Sequence, residues 1–128
     1  MMDPLVEAAR QAREHAHAPF SGFRVGAAVQ EASGAIHTGS NVENATYGLT
    51  ICAERVAIFK ALSEGARKFR RVAVVADTEA LTPPCGACRQ ILWEFCGDVE
   101  IVLANLKGKA ETLRLGAMFP RPFDASCL

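Results

Sequence analysis

The chain has 128 residues, of which 50% are hydrophobic and 22% are charged. We therefore expect one globular domain over residues 1–128 rather than a disordered or two-domain chain. The formal net charge is zero, which argues against a nucleic-acid partner because polynucleotide-binding proteins usually carry excess basic charge. Neither a membrane-spanning segment nor a secretory signal pattern is found, so we expect no membrane partner, a cytoplasmic location and five reduced cysteines.

The first forty residues contain two regular patterns. Asp3 and Pro4 form an N-cap and first-turn pair, and alanines then recur at helical spacing as far as Ala16. This spacing predicts an amphipathic first helix. Residues 23–30 and 35–40 flank a Ser-Gly turn and predict an antiparallel hairpin.

Helices and strands alternate along the rest of the chain. Residues 52–63 are good helix formers and apolar on nearly every side, which predicts a helix buried in the core. A further helix is predicted over residues 84–96. Strands are predicted over residues 72–76, 99–104 and 112–115. The two long crossovers indicate an α/β fold, with a mixed sheet of about five strands whose central strands are parallel.

Three of the five cysteines lie at predicted helix starts, where backbone N–H groups and the helix dipole stabilise a thiolate. Cys85 and Cys88 are three positions apart and share a face, and Cys52 supplies a third sulfur from the other helix. Three thiolates leave the fourth position of a tetrahedral zinc ion for water, as in catalytic sites. Zinc lowers the pKa of such a water to about 7. A structural zinc or a thiol redox module is the alternative.

Glu54 and Arg55 are polar exceptions near the start of a helix that otherwise looks buried. Because an unpaired buried carboxylate is costly, Glu54 is a candidate proton carrier for hydrolysis. Helical spacing alone does not place it beside Cys52, since positions two apart face away from each other. Three thiolates and one Zn²⁺ leave a net negative charge, which we expect Arg55 to offset by hydrogen-bonding a ligand sulfur. A surface salt bridge is the alternative for Arg55.

Cys-Ala-Glu at one helix start and Pro-Cys-x-x-Cys at a later one are together typical of zinc deaminases. With three longer motifs, the chain resembles the small homotetrameric zinc-dependent cytidine deaminases. The motifs are Pro-Phe-Ser-Gly-Phe-Arg-Val-Gly-Ala-Ala from Pro19, Asn-Val-Glu-Asn-Ala-Thr-Tyr-Gly-Leu-Thr-Ile-Cys-Ala-Glu-Arg from Asn41, and Pro-Cys-Gly-Ala-Cys-Arg-Gln from Pro84. The resemblance implies a three-layer α/β/α cytidine deaminase-like fold with a mixed five-stranded sheet.

The resemblance also implies an activity and a substrate site. The activity is hydrolysis of cytidine and 2′-deoxycytidine to the uridine forms in pyrimidine salvage, by zinc-activated hydroxide attack on pyrimidine C4 with Glu54 as proton shuttle. Asn41 and Glu43 would hold the ribose hydroxyls, and Phe23 would stack on the pyrimidine. The Ala53 N–H and the Glu54 side chain would bind the base. Amide and carboxylate acceptors suit a sugar hydroxyl, whereas a phosphate would require Arg, Lys or a glycine-rich loop.

A further implication is a homotetramer whose active sites are shared between subunits. Tyr47 and Phe123 are the candidates for reaching a neighbouring subunit's site. The chain departs from the family pattern at Phe20, where a tyrosine is usual, so one hydroxyl is missing. The tail from Phe119 onward matches only loosely, which weakens the assignment of Phe123.

Two related activities on the same fold remain as alternatives. A deaminase of the antibiotic blasticidin S would share the Cys-x-Glu and Pro-Cys-x-x-Cys chemistry, although Asn41 and Glu43 favour a nucleoside. Polynucleotide editing is disfavoured by the zero net charge and by the short chain, which leaves little length for a nucleic-acid channel.

Overall fold

The computed structural model describes residues 2–128. In chain order its elements are α1 (Pro4–Arg13), β1 (Val25–Glu31), β2 (Ile36–Ser40), a 3₁₀ turn (Tyr47–Leu49), α2 (Ala53–Ser63), β3 (Phe69–Ala76), α3 (Gly86–Cys96), β4 (Glu100–Ala104), β5 (Ala110–Arg114), α4 (Leu115–Met118) and a second 3₁₀ turn (Ala125–Cys127). No helix within residues 2–128 is both long enough and apolar enough to cross a membrane.

The five strands form one mixed sheet in the order β2-β1-β3-β4-β5. β3 and β4 are parallel, and the other neighbouring pairs are antiparallel. The mixed five-stranded sheet is as predicted, but the expectation of parallel central strands is correct only for β3 and β4. The crossover from β2 through α2 returns to β3 on the far side of β1. The hairpin keeps β1 beside β2, so β3 adds to the free edge of β1 in the antiparallel direction.

Helices cover both faces of the sheet, which confirms the three-layer α/β/α prediction. α1 packs on one face through Leu5 and Ala9, against Ala28, Val75 and other small side chains. α2 and α3 pack on the other face, where the larger core includes Ile58 and Leu92. The N-terminal ends of these two helices provide the three candidate sulfur ligands.

Two glycines allow the helices to approach the sheet closely. A Cβ on Gly26 of β1 would lie 1.9 Å from the carbonyl oxygen of Ala9 in α1. A Cβ on Gly39 of β2 would lie 2.5 Å from the backbone nitrogen of Ala57 in α2. Only a glycine fits at such a contact. Gly39 therefore sets the distance between β2 and the helix that bears Glu54.

Several element boundaries differ from the predictions. α1 ends at Arg13, although Ala16 beyond it is also buried. β3 begins at Phe69, because Phe69 pairs with Glu31 at an irregularity in the register. β5 covers Ala110–Arg114 and none of its residues is buried, so the alternation of apolar and polar residues that predicts a strand is weak there. These ends depend on pairing and packing partners that local composition does not encode.

α2 is less completely buried than its composition predicts. Phe59 exposes 41% of its surface, and the neighbouring Lys60 is also exposed. The opposite side of the helix, with Ala57 and Ile58, is fully buried against the sheet. An apolar side chain on the open side accounts for the nearly uniform hydrophobicity of this helix.

Candidate active site

The three cysteines of the two motifs meet at the N-termini of α2 and α3. Cys52 is the N-cap of α2 and Cys85 is the N-cap of α3, and both have extended backbones without a side-chain capping bond. Cys88 is in the first turn of α3 and is fully buried. The sulfurs therefore lie at the positive ends of two helix dipoles, which favour negative charge there.

The sulfur positions fit a tetrahedral zinc ion. Cys52 Sγ lies 3.9 Å from Cys85 Sγ, and Cys85 Sγ lies 3.5 Å from Cys88 Sγ. All three sulfurs lie within 4.8 Å of one another. Zn–S bonds of about 2.3 Å at tetrahedral angles separate two sulfurs by about 3.8 Å. Soft thiolate donors at this spacing suit zinc.

The pKa values of Cys52 and Cys88 are shifted in opposite directions. Hydrogen bonding from Cys88 and the contact with Arg55 lower the pKa of the Cys52 thiol to about 5, although burial acts in the opposite direction. The hydrogen bond to Cys52, together with burial, raises the pKa of Cys88. Zinc binding would deprotonate all three thiols, because a coordinating thiol is deprotonated.

Arg55 contacts the cluster directly. Its Nη2 donates a hydrogen bond to Cys52 Sγ at 3.2 Å, and this bond raises the pKa of the guanidinium. Its Nε is buried and has no hydrogen-bond partner within residues 2–128. No carboxylate in that part of the chain forms an ion pair with Arg55. The positive charge therefore acts on the sulfur ligands.

Glu54 lies beside the sulfurs with 5% of its surface exposed. Burial raises the pKa of its carboxyl to about 7, and the negative charge of Cys52 acts in the same direction. Helical spacing predicts that Glu54 and Cys52 face away from each other, yet both line one cavity. The reason is that Cys52 is the N-cap, with φ −73° and ψ 153°, so the helical repeat does not orient its side chain.

The cavity above the cluster has a volume of about 180 Å³, which suits one small molecule. Its wall contains Cys52, Cys85 and Glu54, along with three residues assigned to substrate by resemblance. Those three are Phe23, Asn41 and Ala53. Because the Cys52 side chain forms no capping bond, it leaves the Ala53 N–H at the start of α2 available as a donor.

Asn41 and Glu43 already bind the backbone of the first motif. Asn41 is buried, accepts a hydrogen bond from Val25 N at 2.9 Å and donates one to Phe23 O at 2.8 Å. Glu43 accepts bonds from Phe20 N at 2.9 Å, from Ser21 N at 3.1 Å and from the Ser21 hydroxyl. These bonds, that of the hydroxyl foremost, lower the pKa of Glu43. Glu43 lines a second depression, outside the cavity that holds Glu54.

Tyr47 and Phe123 lie outside the main cavity of the single chain. Tyr47 lines the same depression as Glu43 and exposes 74% of its surface, with the Phe20 ring edge-on at 6.0 Å. Phe123 is in the C-terminal tail, where its carbonyl accepts a hydrogen bond from Gln90 of α3 at 2.6 Å. Within one chain, therefore, neither aromatic ring contacts the space above the sulfurs.

Some lining residues were not identified from the sequence. Thr50 lines both the main cavity and the depression beside Glu43, so the two are adjacent. Thr82 and Pro83 also line the main cavity, directly before the Pro-Cys-x-x-Cys motif. Their position next to a ligand was the available signal. Ser21 was missed as well, although it lies inside the first motif and contacts Glu43.

Comparison with known proteins agrees with this site. A sequence model described as the cytidine and deoxycytidylate deaminase zinc-binding region matches residues 2–105. A cytidine deaminase from Halalkalibacterium halodurans is 49% identical over 122 residues, covering 94% of this chain and 92% of the relative. One from Sporosarcina psychrophila is 47% identical over 124 residues, covering 96% and 91% respectively.

Solved structures lead to the same family. The crystal structure of a cytidine deaminase from Burkholderia pseudomallei superposes with a TM-score of 0.91 at 46% identity, covering 95% of this chain and all of that one. The structure of a cytidine deaminase from Mycobacterium tuberculosis gives 0.81 at 37% identity, covering 94% of each chain. The sulfur cluster fits zinc, and the family model and the relatives match most of the chain; the chain therefore belongs to the zinc-binding cytidine and deoxycytidylate deaminase family.

Proposed function

We propose that the chain hydrolyses cytidine and 2′-deoxycytidine to uridine and 2′-deoxyuridine with release of ammonia. The main support is one small cavity that joins two candidate zinc ligands, the Glu54 carboxyl and the Phe23 ring. Relatives named cytidine deaminase support the choice of nucleoside. We assign the reaction to pyrimidine salvage in the cytoplasm.

The metal site in this proposal consists of Cys52, Cys85 and Cys88. Zinc held there supplies the Lewis acid that lets water act as the nucleophile near neutral pH. Arg55, at 3.2 Å from Cys52 Sγ, offsets the excess negative charge of three thiolates. Hydrogen bonds to metal ligands of this kind tune the metal's acidity.

Glu54 moves the protons of the reaction. Hydrolysis forms a C4–O bond and breaks the C4–N bond, so the water oxygen gives up both of its protons in turn, one to a ring nitrogen and one to the departing ammonia. Glu54 is the carboxyl group that lines the cavity together with Cys52 and Cys85. A single carboxyl at this position can accept each proton from that oxygen and deliver it to nitrogen.

The substrate is held by groups around the same cavity. The ring of Phe23 stacks on the pyrimidine, and the Ala53 N–H and Glu54 carboxyl bind the polar edge of the base. Asn41 and Glu43 hold the ribose hydroxyls. Glu43 accepts three hydrogen bonds within the chain, and a carboxylate offers about four acceptor positions. One position therefore remains for a sugar hydroxyl.

We also propose a homotetramer in which Tyr47 and Phe123 approach a neighbouring subunit's site. Both rings are mostly exposed in the single chain, at 74% and 59%, and exposed aromatic residues mark contact surfaces. Light scattering should give a mass about four times that of the 13.7 kDa chain. A fully active monomer would contradict this arrangement.

A panel of substrates tests the proposed activity. Purified protein is mixed with cytidine, 2′-deoxycytidine, blasticidin S and a cytosine-containing single-stranded DNA, while absorbance and released ammonia are followed. We expect one ammonia for each molecule of the two nucleosides converted and no reaction with DNA. Turnover of blasticidin S alone would reassign the substrate. Metal-free protein that only forms a Cys85–Cys88 disulfide would indicate a redox function instead.

A further inference from the structure

The turn that precedes β1 is held in place by hydrogen bonds to the Glu43 carboxylate. Glu43 Oε1 accepts the backbone N–H groups of Phe20 and Ser21 at 2.9 and 3.1 Å, and its Oε2 accepts the Ser21 hydroxyl. Three donors from two consecutive residues therefore converge on one side chain. Hydrogen bonds to a charged acceptor are stronger than those between neutral groups, so this contact determines where the turn lies.

The Ser21 hydroxyl extends this contact to Phe23. The hydroxyl has one proton, which it gives to Glu43, and its oxygen accepts the Phe23 N–H at 3.0 Å. On the other side of the same residue, Phe23 O accepts the Asn41 amide at 2.8 Å. Both polar backbone groups of Phe23 are thus bound by side chains.

Gly22 makes this geometry possible. Its φ of +71° reverses the chain between Ser21 and Phe23, in the region of backbone space that glycine adopts at little cost. The turn is closed by a hydrogen bond from Gly22 N to Ala18 O at 2.9 Å. The reversal brings the Phe23 N–H back to the Ser21 hydroxyl two residues earlier.

We propose that Ser21 is a positioning residue that joins the sugar-binding carboxylate of Glu43 to the stacking ring of Phe23. This inference rests on the proposed nucleoside deaminase function. Ser21 does not line the cavity above the sulfurs and acts through its two neighbours. Since a hydroxyl that donates to a carboxylate becomes a better acceptor, the two hydrogen bonds reinforce each other.

The position of Ser21 determines which kinetic constant it affects. The groups that perform the chemistry are at the starts of α2 and α3, and no hydrogen bond joins Ser21 to them within residues 2–128. Loss of the hydroxyl loosens the Phe23 backbone and removes one donor from Glu43. Substrate binding should therefore weaken while the chemical step continues at its usual rate.

Three serine variants test the proposal through steady-state kinetics with cytidine. For Ser21→Ala we expect KM to rise about 3- to 10-fold, the effect of one lost hydrogen bond, with kcat changed less than twofold. Ser21→Thr keeps the hydroxyl at an exposed position and should restore KM. Ser33→Ala, in the hairpin turn, is the matched control. A KM for Ser21→Ala equal to the control value would overturn the proposal, as would an equal fall in kcat.

A double-mutant cycle tests the link to Glu43. Because both substitutions interrupt one chain of hydrogen bonds, Ser21→Ala combined with Glu43→Gln should raise KM by less than the product of the two single effects. Effects that multiply would show that Ser21 acts without Glu43 and would overturn the joining role.

An activity-independent measurement separates this inference from the proposed function. In NMR amide-exchange experiments, Phe23 N–H should exchange several-fold faster in Ser21→Ala than in Ser33→Ala. If the wild-type protein leaves cytidine unchanged, the deaminase proposal fails, and exchange at Phe23 still decides whether Ser21 holds that backbone. Unchanged Phe23 exchange would overturn the positioning role even in an active enzyme.

Discussion

At the scale of single residues, Glu54 is a buried carboxyl group that also lines the cavity above the sulfurs. A carboxyl with 5% of its surface exposed is unfavourable for stability unless it is paired or neutral. Burial raises its pKa to about 7, so near neutral pH the group exchanges protons readily. Such a residue is expected where function, and not folding, requires it.

The Glu54→Gln variant separates the role of the carboxyl in proton transfer from its cost in stability. The amide keeps the shape but cannot move protons, so we expect kcat to fall by about 10²- to 10⁴-fold. Zinc content should stay near one per chain and Tm should not fall, because a buried ionisable group is removed. Glu94→Gln, at an exposed position of α3, is the control. Wild-type kcat in Glu54→Gln would exclude the proton-transfer role.

Arg55 is the second residue whose role is open to a direct test. Removal of its hydrogen bond to Cys52 Sγ, 3.2 Å long, leaves the thiolate charge less compensated. For Arg55→Ala we expect zinc affinity or kcat to fall about 10- to 100-fold, as for other groups that support metal ligands. Competition with a chromogenic chelator measures the affinity. Arg70→Ala on the surface is the control, and identical values for both variants would show that Arg55 does not tune the metal site.

At the scale of elements, the site depends on how closely α2 approaches β2. Gly39 lies under the first turns of α2, and a Cβ there would be 2.5 Å from Ala57 N and 2.7 Å from Ala53 O. These are backbone atoms, so a larger residue must displace the helix. The displacement would move Cys52 and Glu54 relative to the two sulfurs of α3.

Gly39→Ala should therefore affect stability and metal binding together. Overpacking of this kind costs about 1–3 kcal/mol, which corresponds to roughly 3–12 °C in Tm. We expect weaker zinc retention in the same variant, measured by metal analysis after gel filtration. Gly48→Ala, where a Cβ would meet nothing within 4 Å, is the matched control. Equal Tm values for the two variants would show that α2 does not pack against Gly39 in this way.

At the scale of the whole molecule, the sequence predicts the layers better than the connections. Alternating helices and strands, with apolar faces, were enough to predict a mixed sheet of about five strands layered with helices, and the three-layer arrangement came from the family resemblance. The antiparallel pairing of β1 with β3 was not predicted, because the helical crossover indicates only that β2 and β3 run in the same direction. Which edge a strand joins depends on contacts distant in sequence.

The candidate site, like the fold, was predicted from the sequence only in part. Residue chemistry and spacing indicated that Cys52, Cys85 and Cys88 form a metal cluster, whose sulfurs lie within 4.8 Å of one another. Spacing failed for Glu54, since an N-cap does not follow the helical repeat. The contacts of Glu43 with the turn before β1 connect residues more than twenty positions apart. Such contacts arise only when the hairpin and the following loop fold together.

Zinc titration of metal-free protein is the most direct test of the central claim, that three sulfurs and Glu54 form a zinc-dependent deaminase site. The protein is stripped with a chelator, and cytidine turnover is followed as Zn²⁺ is added back. We predict no turnover without metal, a linear rise with bound zinc and a plateau at about one zinc per chain. Full activity in the stripped protein, or a protein that binds one zinc per chain and leaves cytidine unchanged, would contradict the account.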